Sequence, residues 1–178
     1  MLMLVVILSA ALLVYSKTSA NLAVQALTML VSMGLVFYAS HPLGHFFTAR
    51  AYHVGTEYFF VGRSDFRKLT LKPMSLVVGL MPTIGTKLKK EALASLSPRK
   101  RGYVFGAGVL DSNALVAVQL VYVLVAGFSL PAVLLGLLFF VVMLSTEFLF
   151  STQVGDLGKM RNEFKKQPLG GSVAGHSP

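Results

Sequence analysis

The stretch "NLAVQALTMLVSMGLVFYASHPLGHFFTAR", Asn21 to Arg50, carries no Lys, Arg, Asp or Glu before its last residue. Roughly 20 apolar residues in a helix cross a bilayer, so this stretch is long enough to span a membrane with residues to spare. Near its end lie His41 and His45, four residues apart, with Pro42 between them. The stretch therefore predicts a membrane helix that carries a polar group close to one end.

The composition of the whole chain agrees with a membrane protein. Of its 178 residues, 54% are hydrophobic and 13% are charged, whereas about 25% are charged in soluble domains. There is no cysteine, which excludes disulfides, thiolate metal sites and cysteine nucleophiles. Any metal ion must be held by nitrogen and oxygen ligands.

The positive charge is concentrated between two apolar regions. Of the 16 Lys and Arg residues, 11 lie from Arg50 to Arg101, and four more lie from Lys159 to Lys166. Under the positive-inside rule, both segments are expected on the cytoplasmic side. The net charge of +9 does not indicate nucleic-acid binding, since no stacking platform or known module accompanies it.

The apolar runs predict an all-α membrane protein with about four transmembrane helices and a short strand-like or re-entrant cytoplasmic loop region. We expect one integral membrane domain, residues 1–166, with spans at about 1–16, 21–49, 102–126 and 132–154 and a basic loop at 50–101. The run 1–16 could instead be a signal or anchor segment. Residues 127–131 form the hairpin between the last two spans, and residues 167–178, rich in Gly, Ser and Pro, are expected to be disordered.

The apolar segment Pro73 to Thr86 is too short and too interrupted by Gly and Pro for a confident span. It fits a re-entrant or interfacial segment better.

The histidine pair has the spacing of a metal site. Residues four apart lie on one face of a helix, so His41 and His45 can direct their rings at one ion. A zinc site that performs chemistry normally has three protein ligands, so a third must come from elsewhere in the chain. The alternative is that both histidines form hydrogen bonds to other helices and bind no metal.

The depth at which each carboxylate should lie in the membrane indicates which of them could be the third ligand. His41 and His45 precede Arg50 by about 13 and 8 Å at helical rise, and Asp156 lies three residues before Lys159 at the same expected edge. Asp156 is therefore the first candidate. Asp111 is the second.

Glu147 should lie deeper in the membrane. We expect its side chain to face the interior of the bundle.

The stretch "HPLGHFFTARAYHVGTEYFFVG", His41 to Gly62, resembles the site-2 protease family of intramembrane zinc metalloproteases. That family has H-E-x-G-H in a membrane helix, then a small residue and Arg, then a strand region. Both histidines, Gly44, Ala49-Arg50 and Phe59 to Gly62 match this order.

Later segments extend the resemblance to about Ser40–Arg161. Gly155 to Gly158, "GDLG", is similar to the family's L-D-G motif, and Gly108 with Asn113 is similar to a helix that lies between the two motifs. The resemblance implies His41, His45 and Asp156 as zinc ligands. It also implies that Lys72 to Thr86 is a loop that could guide an extended substrate.

Pro42 is the departure from the family pattern. It stands where the family has the glutamate that activates the zinc-bound water, and proline has no titratable group. Glu57 and Asp111 are weak substitutes for that base. We also expect Ser40 to cap a helix that restarts here, with Pro42 in its first turn.

Three functions are consistent with these features. The first is a zinc-binding homologue of the site-2 proteases with impaired or lost peptidase activity, which binds a transmembrane helix or a membrane protein complex. The second is an active intramembrane zinc endopeptidase with a non-standard base. The third is a metal-free accessory subunit of a membrane complex.

Overall fold

A computed structural model describes residues 1–63 and 82–166. Over these ranges the chain is mainly helical, with one two-stranded sheet. In chain order the elements are α1 (Leu2–Thr18), α2 (Leu22–Ala51), β1 (Thr56–Arg63), β2 (Pro82–Leu88), α3 (Lys90–Ala94), α4 (Pro98–Val125), α5 (Leu130–Val154) and α6 (Asp156–Lys165). The tail expected to be disordered, residues 167–178, lies outside the described residues.

Three helices are long and apolar enough to cross a membrane: α2, α4 and the Leu130–Gln153 part of α5. Helix α1 is apolar but has 17 residues, about 25 Å at 1.5 Å per residue, whereas a hydrocarbon core is about 30 Å thick. The described residues therefore contain three helices that are long and apolar enough to be spans, where the sequence predicted about four.

Helix α4 begins earlier than the apolar pattern predicted. Ser97 is its N-cap, with the side chain accepting a bond from the Lys100 amide at 3.5 Å, and Pro98 occupies the first turn. The basic residues before Gly102 thus belong to the helix, because capping overrides the change in hydropathy. At the other end, Gly127 with φ +73° turns the chain into α5, within the predicted hairpin.

The prediction that a helix restarts at Ser40 is wrong. Helix α2 runs without interruption from Leu22 to Ala51 and contains Pro42 in its interior. The Ser40 hydroxyl donates to the Val36 carbonyl at 2.6 Å, one turn back, and so does not cap a new helix. Tertiary contacts offset the missing proline N–H: Pro42 is buried, and the Thr86 hydroxyl donates to its carbonyl at 2.8 Å.

The main apolar core joins α1, α2, α4 and the start of α5. Its buried side chains are Leu13, Met29, Met33, Val36, Val116, Leu120, Val123, Phe128 and Ala132.

Beside this core lies a group that we call the core polar cluster, formed by Ser9, Ser32 and Gln119. The Ser32 hydroxyl donates to the Ser9 carbonyl at 2.7 Å, and the Gln119 amide donates to the hydroxyls of Ser9 at 2.7 Å and Ser32 at 3.1 Å. These bonds tie α1 to α2 and α4.

The strand-like region predicted at Phe59–Gly62 is part of β1. It pairs antiparallel with β2, with Phe60 opposite Gly85 and Val61 opposite Ile84. The segment Pro73 to Thr86 was predicted to be re-entrant or interfacial. From Pro82 onward it belongs to strand β2, and residues 73–81 lie outside the described residues. The Thr86 bond to α2 places β2 beside the histidine pair.

Candidate functional site

His41 and His45 lie one turn apart on α2, with ring centroids 5.1 Å apart. Their Nε2 atoms approach the same atom, Oδ2 of Asp156, at 3.2 and 3.1 Å. The three ligand atoms lie within 4.8 Å of one another, and this group could hold a metal ion. We call His41, His45 and Asp156 the candidate metal site.

A break between α5 and α6 positions Asp156. Gly155 is extended, with ψ −157°, and Asp156 is the first residue of α6. The Ser151 hydroxyl accepts a bond from the Leu157 amide at 3.1 Å, which satisfies one free N–H at the start of α6. A Cβ at Gly155 would lie 2.6 Å from the Ser151 Oγ. Glycine therefore permits the close turn that directs Asp156 at α2.

Helix α4 orients His45. The Nδ1 atom of His45 lies 2.8 Å from the carbonyl oxygen of Val104, which belongs to α4. Because a carbonyl oxygen can only accept a hydrogen bond, Nδ1 carries the proton in this contact. The Nε2 lone pair of a neutral ring then faces Asp156. Gly108 makes room for the ring, since a Cβ there would lie 2.4 Å from Nε2.

His41 also has an acceptor near each ring nitrogen. Its Nδ1 lies 3.6 Å from Oε1 of Glu147, on α5, and its Nε2 faces Asp156. Glu147 is held by Asn113, whose side-chain amide donates to Oε2 at 3.2 Å and to the Val109 carbonyl at 2.8 Å. Sequence reasoning placed Glu147 toward the interior of the bundle but did not connect it to His41.

The donor atoms fit a divalent cation. His45 faces oxygen acceptors through both ring nitrogens, the Val104 carbonyl at Nδ1 and Asp156 at Nε2, so either a second proton on this ring or a metal ion is needed between its Nε2 and Asp156. His41 can face Asp156 as a neutral ring, with its proton on Nε2 or with a metal ion there. Tetrahedral ligands at 2.0–2.1 Å from zinc are about 3.3 Å from one another. The two contacts to Oδ2, at 3.1 and 3.2 Å, are within about 0.2 Å of that spacing.

The electrostatic environment keeps Asp156 ionised. Burial alone would raise the pKa of Asp156, but its contacts with His41 and His45 and the nearby charge of Lys159 hold it well below its ordinary value. The Lys159 ammonium donates to Oδ1 at 2.9 Å and leaves Oδ2 directed at the histidines.

A cavity of about 310 Å³ opens on the candidate metal site. Its wall combines the site with apolar side chains, including Phe37, Phe60 and Phe105, and with strand β2 from Thr83 to Thr86. In the described part of the chain, the carboxylates that line it are Glu147 and Asp156. The geometry thus provides an open face where a small ligand or a chain segment can approach the site.

The other carboxylates considered from the sequence lie elsewhere. Asp111 is on α4 and lines a second cavity together with Gly44 and Phe47. Glu57 is exposed on β1. Neither belongs to the group that could hold a metal ion, and neither lines the cavity beside that group.

No protein-family model, curated protein or solved structure matches this chain.

Proposed function

We propose that this chain is a zinc-binding membrane protein of the site-2 protease type, with impaired or lost peptidase activity, which binds a membrane partner. The observation that carries the proposal is the convergence of His41, His45 and Asp156 beside an open cavity. The order of elements also supports it: a histidine helix, a strand pair, a helix, a hairpin, and a helix end that supplies the aspartate.

Zinc is the metal that suits this ligand set. Two imidazoles and one carboxylate are ligands that zinc accepts in catalytic sites, where a fourth position stays open to water or substrate. Bound zinc would polarise a carbonyl and lower the pKa of a bound water toward 7. The chain itself supplies the ligands, lines the cavity beside them with aromatic side chains, and holds Asp156 with Lys159.

Pro42 is the reason to propose impaired hydrolysis. A positioned base contributes about 10²- to 10⁴-fold to the rate of a proton transfer step. Proline cannot accept a proton, and Asp111 and Glu57 do not line the cavity. A site that keeps its ligands without this base is suited to hold a transmembrane helix or another membrane protein rather than to cut it.

Active proteolysis is the second candidate, and the cavity favours it. Glu147 lines the same cavity as the three ligands and could act as a non-standard base in place of the missing glutamate. The third candidate, a metal-free accessory subunit, requires a second proton on His45 in place of the ion, while a neutral His41 can donate to Asp156.

The proposal includes the topology. We propose that α1 is a fourth span, because the core polar cluster ties it to α2 and α4. We further propose that the loop 50–101 and the C-terminal segment are cytoplasmic, as their Lys and Arg content favours. Labelling of cysteines introduced at Lys89 and Lys165 from the outside would contradict this orientation.

The first experiment measures metal content. Purified wild-type protein is expected to hold about one zinc per chain, and His45→Ala to hold almost none. Gln119→Ala, in the core polar cluster, is the matched control and should retain zinc. A wild type without zinc would favour the accessory subunit.

The second experiment measures cleavage of a reconstituted single-span substrate. We expect little cleavage by the wild type and partial restoration by Pro42→Glu, with His45→Ala as the inactive control. Robust, zinc-dependent cleavage by the wild type would overturn the impaired-peptidase proposal and direct the search for a base to Glu147.

A further inference from the structure

Glu147 is a carboxylate on a helix that is otherwise strongly apolar. It lies in α5, whose Leu130–Gln153 part is long and apolar enough to cross a membrane, and its exposed fraction is 7%. An ionisable group at such a position is costly and is typically retained for a function. Its contacts indicate which function.

The two oxygens of Glu147 have separate neighbours. Oε2 accepts the Asn113 amide at 3.2 Å, and Oε1 lies 3.6 Å from Nδ1 of His41. Asn113 is itself fixed by its bond to the Val109 carbonyl at 2.8 Å. Two helices, α4 and α5, thus hold one carboxylate against the ring nitrogen that does not face Asp156.

This arrangement corresponds to a general feature of metal sites. A histidine ligand usually donates its second N–H to a carboxylate or a carbonyl, which fixes the tautomer and the orientation of the ring. His45 has such a partner in the Val104 carbonyl. Glu147 stands in the equivalent place for His41.

We infer that Glu147, held by Asn113, is a positioning residue that directs Nε2 of His41 toward the metal ion. This inference rests on the proposed zinc site. At 3.6 Å the Oε1 to Nδ1 contact is longer than a hydrogen bond, and we expect it to shorten when the site holds a metal ion.

The test compares zinc affinity in three variants of the full-length protein. Glu147→Leu removes the acceptor and should weaken zinc binding about 10- to 100-fold, the usual effect of losing an outer-shell partner. Glu147→Gln keeps an acceptor oxygen and should recover part of that loss. Thr146→Val is the matched control, because over residues 1–63 and 82–166 the Thr146 hydroxyl bonds only within its own helix, to the Val142 carbonyl at 2.7 Å.

A purely structural role would give a different result. Replacing a buried carboxylate by leucine in an apolar helix should leave the zinc-free protein at least as resistant to unfolding as the wild type. Loss of zinc affinity with unchanged zinc-free stability therefore supports positioning. Loss of stability in the zinc-free protein, in proportion to the loss of affinity, would overturn the inference.

A double-mutant cycle tests the link to Asn113. Asn113→Ala should weaken zinc binding in the wild type and have no further effect in Glu147→Leu, because it acts through the same carboxylate. Additive effects would overturn that part of the inference. If wild type binds zinc and Glu147→Leu binds it equally well, positioning fails while the proposed function stands, whereas a wild type without zinc removes both.

Discussion

The candidate metal site and the core polar cluster are two polar groups in one apolar bundle, and they differ in how their atoms are paired. In the core polar cluster, donors meet acceptors: the Ser32 hydroxyl and the Gln119 amide each donate to an oxygen. At the candidate metal site one contact joins two acceptors: His45 donates through Nδ1 to the Val104 carbonyl, so the Nε2 of its neutral ring and Oδ2 of Asp156 are both acceptors.

The two groups also differ in their exposure. The Ser9 and Ser32 side chains are fully buried, whereas the candidate metal site opens on a cavity of about 310 Å³. Polarity inside a membrane bundle is therefore not by itself a sign of function, since hydrogen-bonded Ser and Gln side chains also join helices. Unbalanced acceptors that converge on a cavity are the more specific sign.

Among these changes, removal of the Asp156 carboxylate should have the largest effect on zinc affinity. Asp156→Ala should weaken zinc binding by more than about 100-fold, beyond the usual effect of an outer-shell residue, whereas Asp111→Ala should leave it nearly unchanged. Competition with a chelator of known affinity measures both. The opposite order would show that the third ligand is Asp111.

Filling the space beside His45 should have the next largest effect. In Gly108→Ala the added Cβ would lie 2.4 Å from the His45 Nε2, so the ring must move and zinc affinity should fall about 10- to 100-fold. Gly34→Ala is the matched control on α2, since a Cβ there meets nothing within 4 Å. Equal zinc affinity in the two variants would mean that the ring position is not critical.

A substitution in the core polar cluster should lower the free energy of unfolding and leave zinc affinity unchanged. Gln119→Leu removes the bonds to Ser9 and Ser32 and should lower the free energy of unfolding by about 1 kcal/mol, the scale of interhelical hydrogen bonds in membranes. Unfolding in mixed detergent micelles measures this, and zinc affinity should not change. A fall in zinc affinity as well would show that the two polar groups are coupled.

The smallest effect on stability should come from a substitution of Glu163, near the C-terminal end of α6. The hydrogen bond from Lys166, and after it the bond from Arg101, hold the pKa of Glu163 below its ordinary value, against the opposing effect of burial. Because the pKa is lower in the folded state, this stabilisation is present above the ordinary glutamate pKa of about 4.3 and is lost as pH falls through the folded value.

Glu163→Gln should therefore be less stable than the wild type at pH 7, and the difference should shrink at pH 3. Unfolding of the zinc-free protein at the two pH values measures it. A difference that stays constant with pH would mean that the Glu163 carboxylate charge does not hold α6.

Several elements could be predicted from local pattern. The uncharged run before Arg50 predicted α2, and the Gly127 region predicted the hairpin, whereas the strand at Phe59–Gly62 was expected from the resemblance to the site-2 protease family. The spacing of His41 and His45 placed both rings on one helix face, and the structure brings Asp156 to them. Each of these depends on residues close together in the sequence or on helical rise alone.

Other features depend on contacts that no local pattern contains. Pro42 was expected in the first turn of a helix capped by Ser40, but α2 is continuous, with Pro42 buried in its interior and the Pro42 carbonyl accepting a bond from Thr86. Glu147 could be placed toward the interior by its depth, yet its contact with His41 depends on the rotation of α5 about its own axis. The signal available in the sequence was a single carboxylate within an otherwise uncharged apolar run.

The amino-acid sequence by itself determined the apolar helices, the histidine pair and the presence of Pro42, a residue with no titratable group, between the two histidines, because hydropathy, helical spacing and side-chain chemistry are local properties. Only the tertiary structure decided which carboxylates meet the histidines. The break at Gly155 directs Asp156 at Nε2, the absence of a side chain at Gly108 admits the His45 ring, and the packing of α4 and α5 brings Asn113 and Glu147 to His41. These arrangements depend on how helices rotate and approach one another, which is set by packing between segments far apart in the chain.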